Sequence, residues 1–229
     1  MPSAAKAYKG LGMEGWVARW YAANTGKDLS DFTAQARKLA ASLAPAAAVL
    51  EIAPGPGYFA IELARAGNFR ITGLDISATF VDLARKNAAD ARVEVDFRRG
   101  DAAHMPFDAN TFDGIFCRAA FKNFSEPLKA LNEMHRVLKP GGRAIIIDLR
   151  KDASWDEIAA YVDGLHISRT STWMTKFTFK HMLLKRAYTE GQMKALAGES
   201  DFKSCEMITT AVGMEVRLLR RQPLAQQVA

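Results

Sequence analysis

The sequence predicts an α/β fold built on a seven-stranded, mostly parallel sheet with helices on both faces, an N-terminal helical cap and a C-terminal antiparallel hairpin. Two observations carry that reading. From residue 46 to residue 150 short apolar runs alternate with helical patterns, the signature of βαβ units. The end of the chain, "CEMITTAVGMEVRLLRR", breaks the alternation with two strand-like runs around Gly213, a hairpin that a strictly alternating fold lacks.

Each element has its own signal. In the cap, residues 1–45, "EGWVARWYAAN" puts Trp16, Val17 and Trp20 on one helical face. Ser30 and Asp31 open a second helix over 30–43, closed by Pro45. In the core, residues 46–150, strands are expected near 47–53, 69–75, 93–98, 111–117 and 142–149, with helices near 57–66, 77–89 and 126–138. The last of these helices runs into "LKPGG": Lys139 adds a positive charge at its C-terminus, Pro140 forbids continuation, and Gly141 and Gly142 permit the reversal. Residues 151–188 hold a helix near 154–163 and then a Met- and aromatic-rich segment. Residues 189–221 hold a helix over 189–197 and the two terminal strands. All of 1–229 reads as a single domain.

Composition narrows the class. The chain is 49% hydrophobic and 24% charged, with no low-complexity tract or internal repeat, so it must fold around a core. No apolar run approaches the ~18 residues that span a bilayer, and "MPSAAKAYKGLGMEG" lacks the apolar centre of a signal peptide. The expected location is the cytoplasm, without stable membrane insertion. Cys117 and Cys205 make neither a disulfide framework nor a metal-ligand pattern, and no metal is expected. The net charge of +6 could attract nucleic acid, but no basic run interleaves with aromatics and no nucleic-acid module is present, so none is expected as a partner. A homodimer through the terminal strands or the Met-rich segment is compatible with the sequence without being indicated by it.

The glycine turn in "VLEIAPGPGYFAIELA" fits the pattern G-x-G-x-x-G/A. It admits a ligand close to the backbone, with the amides of the following helix aimed at it. A pyrophosphate needs several loop N–H donors, and Pro54 and Pro56 remove two. The prolines are also expected to hold Ala53 and Gly55 extended. Three acids complete the pattern. Asp75 ends the second predicted strand and can accept from both ribose hydroxyls, as in nucleotide-binding folds generally. Asp101 closes the third, placed to accept from an adenine amino group. Glu51 precedes the loop, either facing a cofactor or hydrogen-bonded to the loop itself. One acid per strand end favours a cationic nucleoside without phosphates over a dinucleotide, which disfavours a nicotinamide oxidoreductase. Gly57 read alone is a tight strand-to-helix turn, and Asp75 and Asp101 alone are solvated carboxylates or helix caps.

Three stretches in order, "VLEIAPGPGYFAIELA", "GLDISATFVDLARKNA" and "GDAAHMPFDANTFDGIFCRAAFKNFSEPLKALNEMHRVLKPGGRAIIIDL", resemble the class I S-adenosylmethionine-dependent methyltransferases. Within that class they resemble in particular the small-molecule group that includes the quinone-biosynthesis C-methyltransferases. It covers about residues 47–149 and implies a Rossmann-like fold, S-adenosyl-L-methionine as cofactor and S-adenosyl-L-homocysteine as product. By resemblance, Ala53, Pro54, Gly55 and Gly57 border the methionine part of the cofactor, and Asp75 binds its ribose. Ile76 packs on the adenine, Asp101 and Ala102 hold the adenine edge, and Cys117 contributes backbone near the amino group. Ala53 stands where the family usually has glycine, which narrows the space beside the cofactor.

Methyl transfer from a sulfonium depends mainly on in-line positioning of the acceptor, so few catalytic side chains are obligatory. A phenol or carbon acid still needs a base. The pair Lys122–Asn123 resembles an Arg–Asn pair of the quinone group and is expected to face the acceptor, with Asn123 alternatively capping a helix or turn. His166 and His181 are further candidates, in a segment, 165–187, with five basic residues and no acid. With Trp173, Met174, Phe177, Phe179 and Met182 that segment is a candidate lid over an aromatic or lipophilic acceptor, or else core packing. Arg19 or a tyrosine of the cap, Tyr8 or Tyr21, is a candidate for the cofactor's carboxylate. The alternatives are an RNA or protein methyltransferase, which would show an added recognition module or a signature such as N-P-P-Y, and a non-catalytic cofactor-binding protein.

Overall fold

The run AVLEI of β1 (Ala48–Ile52) is buried at every position, as a central strand covered on both faces must be. The computed structural model describes residues 8–9, 12–26, 29–164 and 184–222. Around β1 lie β2 (Arg70–Asp75), β3 (Asp96–Arg99), β4 (Phe112–Arg118), β5 (Leu138–Leu149), β6 (Glu206–Thr209) and β7 (Gly213–Leu219) in the order β3-β2-β1-β4-β5-β7-β6. The first five strands are parallel, and β7 is antiparallel to both β5 and β6. The seven-strand expectation, terminal hairpin included, matches this sheet.

Helices α1 (Gly15–Thr25), α2 (Ser30–Ala40), α3 (Tyr58–Ala66), α4 (Ala78–Ala91), α5 (Pro127–Val137), α6 (Trp155–Asp163) and α7 (Glu190–Glu199), with a 3-10 turn at Phe121–Asn123, complete the described elements. Alternate residues of each strand feed opposite cores. Leu50, Ile52 and Ile115 pack with Leu131, Met134 and Met193 on the face of α5 and α7. Val49, Ile71 and Phe116 pack with Phe59, Leu63 and Val81 on the face of α2, α3 and α4.

Several boundaries differ from expectation. The third strand begins at Asp96 rather than near 93, because the Val93 amide bonds to the Ala88 carbonyl and Arg92 adopts φ 56, ending α4 there. α2 stops at Ala40 rather than 43, where Ser42 and Leu43 make tighter bonds to Leu39 and Ala40. The face of α1 carrying Trp16 and Trp20 is not the buried one. Ala18 and Ala22 face inward, and the two indoles are 74% and 63% exposed. Small side chains let α1 approach the α3–α4 surface closely, as the hydrogen bond from Tyr58 Oη to the Ala22 carbonyl shows. His166, His181 and most of the lid segment, residues 165–183, lie outside the described residues. Among the described residues no helix is long and apolar enough to cross a membrane.

Candidate functional site

The carboxyl ends of β1, β2 and β4 meet where the chain leaves the sheet into α3, α4 and the turn at 119–123, the place where open parallel sheets form ligand crevices. After β1 the backbone reverses within a few residues. Ala53 and Gly55 both have φ 55, and Gly57 has φ 81. The two residues before the prolines are therefore left-handed, not extended as expected. Proline excludes the right-handed helical region for its predecessor, and the sharp reversal selects positive φ instead. Ala53, the one of the three with a Cβ, accepts this conformation at a cost of about 1 kcal/mol or more relative to glycine.

The two glycines differ in purpose. A Cβ at Gly57 would come within 2.7 Å of Phe97 Cζ and 3.0 Å of Ala84 Cβ, so Gly57 lets β3 and α4 pack against the turn. A Cβ at Gly55 would meet nothing within 4 Å. Gly55 is the loop residue that borders open space.

Every loop amide that exists is already used. Ala53 N–H donates to the Leu74 carbonyl at 2.8 Å, Gly57 N–H to the Pro54 carbonyl at 3.0 Å, and Gly55 N–H to Asp75 Oδ2 at 3.0 Å. The Pro56 carbonyl accepts from Asn87 Nδ2 of α4 at 2.9 Å. The loop has no free donor for a phosphate, which strengthens the argument drawn from the prolines.

Asp75, buried at the end of β2, accepts from Gly55 N–H through Oδ2 and from Ser77 N–H at 2.9 Å through Oδ1. Each carboxylate oxygen has a second lone pair for a ligand hydroxyl. Burial raises its pKa to about 6 against those hydrogen bonds. Glu51, four residues before Gly55, is also buried. The Ala60 amide in the first turn of α3 favours its charged form, but Oε2 has no partner. Burial lifts its pKa to about 8, so Glu51 is a neutral acid at pH 7 that a nearby cation would ionise. Ile76, next to Asp75, is partly exposed at the rim.

Asp101 does not close β3, which ends at Arg99. It lies in the following turn, where Oδ1 accepts from Ala103 N–H at 2.9 Å and Oδ2 is 3.6 Å from His104 Nδ1. Ala102 sits partly buried in the same turn. Cys117 is fully buried in β4, paired with Ile52 and Ile146, and burial pushes its thiol far above the usual range. Only its backbone is available at the strand end.

Lys122 does not present a free amine. Its Nζ lies 2.7 Å from Asp148 Oδ1 and 2.6 Å from the Ala119 carbonyl, and its own N–H donates to Asp148 Oδ2 at 2.9 Å. Asn123 does not cap α5, whose N-cap is Glu126; its carbonyl accepts from Lys9 N–H at 2.8 Å. Arg19 is exposed on α1.

Two residues of the site were missed in the sequence. Arg118, ending β4, pairs with Asp31, lies over the Phe32 ring at 4.5 Å and acts electrostatically on Glu51. Glu14 accepts from the Ala78 and Thr79 amides, capping α4 just beyond Asp75. Tyr8, one of the cap tyrosines expected near the cofactor's carboxylate, sits in the fields of both Asp75 and Asp148. Only Arg118 had a readable signal, a charged residue at a strand's carboxyl end. A cleft of about 640 Å³ at the opposite, amino edge of the sheet, lined by Arg70, Thr72, Arg98, Phe107 and Phe112, borders none of these groups.

The residues fit the cofactor expected at this edge. The uncommitted Glu51 oxygen suits a cation, the open side of Gly55 admits a ligand against the backbone, and Asp75 has lone pairs for hydroxyls. Residues 50–146 match a family model described as a methyltransferase domain. A demethylmenaquinone methyltransferase of Deinococcus radiodurans is 40% identical over 107 residues, 46% of this chain and 44% of that protein. A ubiquinone/menaquinone biosynthesis C-methyltransferase of a Ruegeria species is 38% identical over 107 residues, 45% of this chain and 43% of its own. The match thus spans less than half the length of these curated relatives. In three dimensions, a SAM-dependent methyltransferase from Aquifex aeolicus covers 84% of this chain and 98% of its own with a TM-score of 0.61 at 18% identity. A Methanococcus maripaludis protein assigned provisionally to the S-adenosyl-L-methionine-dependent methyltransferases covers 96% of this chain and 100% of its own, with a TM-score of 0.74 at 21% identity. At those identities the likeness is one of fold.

Proposed function

We propose that this chain, whose residues 50–146 match a family model described as a methyltransferase domain, uses S-adenosylmethionine to methylate a small aromatic or lipophilic acceptor resembling a quinone precursor. The observation that carries the reading is the commitment of the Ala53, Gly55 and Gly57 amides within the protein. The loop is left without phosphate donors, whereas Glu51 and Asp75 supply acceptor oxygens for a cationic nucleoside. The names of the relatives from Deinococcus and Ruegeria support a quinone-type acceptor; the location proposed with it is the cytoplasm.

Bound there, the cofactor supplies an electrophilic methyl group on a sulfonium. The protein's work is holding and orienting. Asp75 would hold the ribose, Asp101 and Ala102 the adenine edge with Ile76 against the ring, and Glu51 the positive end beneath the open side of Gly55. Across the β4–β5 edge the Lys122–Asp148 pair fixes the turn at 119–123, which sets the floor on the acceptor side. Lys122, with its amine so engaged, is a positioning residue rather than a base. Tyr8, which feels the charges of both Asp75 and Asp148, is a candidate to hydrogen-bond an acceptor hydroxyl.

Calorimetric titration with S-adenosylmethionine, S-adenosylhomocysteine and NADH tests the site. Binding of both sulfur nucleosides, followed by methyl transfer to a reduced naphthoquinone lacking the ring methyl, is the expected result. NADH binding alone would overturn the reading. Cofactor binding without turnover on phenols, thiols or quinols would favour a non-catalytic binding protein.

A further inference from the structure

α1 is an unusual surface helix. In eleven residues, GWVARWYAANT, Arg19 is the single charge, yet only Ala18 and Ala22 are buried. Helices this apolar are normally covered. Trp16 and Trp20, one turn apart, point directly away from those alanines, with Ala23 exposed beside them, and are the most exposed large apolar side chains among the described residues.

We propose that this outward face of α1 docks the protein onto an anionic lipid surface. Indole rings favour the boundary between headgroups and acyl chains. Arg19, also exposed, can reach phosphate oxygens while the flanking rings enter the boundary. Charge agrees with that occupant: α1 has no acidic residue, and the chain carries a net +6. Eleven residues are too few to span a bilayer, so the helix lies in the membrane plane.

The face is also held rigidly. Gly15 N–H donates to Thr79 Oγ1 at 3.0 Å, and Ser77 Oγ donates to the Met13 carbonyl at 2.6 Å. Ser77 is two residues from Asp75, so docking through α1 would bring the carboxyl edge of the sheet to the membrane. That consequence for a lipophilic acceptor rests on the proposed methyl transfer; the docking itself does not.

The test is sedimentation with vesicles of phosphatidylcholine alone or mixed with phosphatidylglycerol, without cofactor or acceptor, so that its outcome is independent of the methyl-transfer reading. The protein is expected to bind the mixed vesicles, more weakly as salt rises. Trp16→Ser/Trp20→Ser, with an unchanged Tm as proof of folding, is expected to bind at least about tenfold more weakly. Failure of the unaltered protein to bind either vesicle, or equal binding by the double variant, overturns the proposal. So does an unaltered protein that sediments as a dimer while the variant is monomeric, which would assign the face to a second copy of the chain.

Discussion

The Lys122 amine and the Asp148 carboxylate, 26 residues apart in sequence, lie 2.7 Å from each other at the carboxyl ends of β4 and β5, with side chains only 8% and 5% exposed. Removing one partner would leave a buried charge without compensation. Lys122→Met is therefore expected to destabilise the protein by about 3–5 kcal/mol, read as a lower denaturation midpoint. Were the amine instead free in an acceptor pocket, the midpoint would hold and only acceptor kinetics would change.

That pair also marks the limit of what the sequence discloses. The central strands and the hairpin were legible because burial on two faces writes continuous apolar runs, and because glycine and proline punctuate them. Asp75 and Glu51 were legible because they sit beside such punctuation. The engagement of Lys122 by Asp148, the Glu14 cap on α4 and the pairing of Arg118 with Asp31 join residues 26, 64 and 87 positions apart, and no local pattern encodes a partner at that distance. The orientation of α1 was not legible for a related reason: its tryptophans make a helical stripe, but packing selected Ala18 and Ala22 for the close approach.

Two buried acids make the free protein sensitive to alkali. Burial raises Asp75 to about 6 and Glu51 to about 8, so the folded state holds both protons more tightly than the unfolded chain. The resulting stabilisation is full below the ordinary carboxyl range and is lost as pH rises through about 6 and then about 8. Glu51→Gln, neutral throughout, is expected to exceed the unaltered protein in stability above pH 8 by up to about 4 kcal/mol, a Tm difference of up to roughly 8–16 °C, and to show no such advantage near pH 5. A constant difference across that range would contradict the burial of an ionisable acid.

The same acid should report the arrival of a cation. Binding of S-adenosylmethionine at pH 7 is expected to draw the proton from Glu51, because a positive charge beside a buried carboxyl favours its ionised form. Titration in buffers of different ionisation enthalpy should show proton release by the unaltered protein and none by Glu51→Gln. Equal release by both would move the cation away from Glu51.

Asp75 has a double task, bracing the loop through Gly55 and Ser77 while keeping lone pairs for a ligand. Asp75→Asn leaves one acceptor oxygen for two amides and adds a donor where an acceptor is needed. We expect a stability loss of about 1–3 kcal/mol and at least about tenfold weaker S-adenosylhomocysteine binding. A loss of stability with affinity intact would confine Asp75 to the loop.

The two loop glycines separate packing from binding most cleanly. Gly57→Ala would place a methyl group 2.7 Å from the Phe97 ring at φ 81, combining overpacking with a left-handed alanine. The expected cost is about 2–4 kcal/mol, seen as a lower Tm whether or not ligand is present. Gly55→Ala meets no atom within 4 Å and bears only the cost of φ 55, about 1 kcal/mol, so the free protein should be little affected. The new methyl group would occupy the open side of the loop, and affinity for S-adenosylhomocysteine should fall at least about tenfold. If Gly55→Ala bound the cofactor normally, the open side of Gly55 would not face it, and the assignment of the loop to the methionine end would fail. A Gly57→Ala protein of normal stability would mean instead that Phe97 and Ala84 yield more readily than their burial implies.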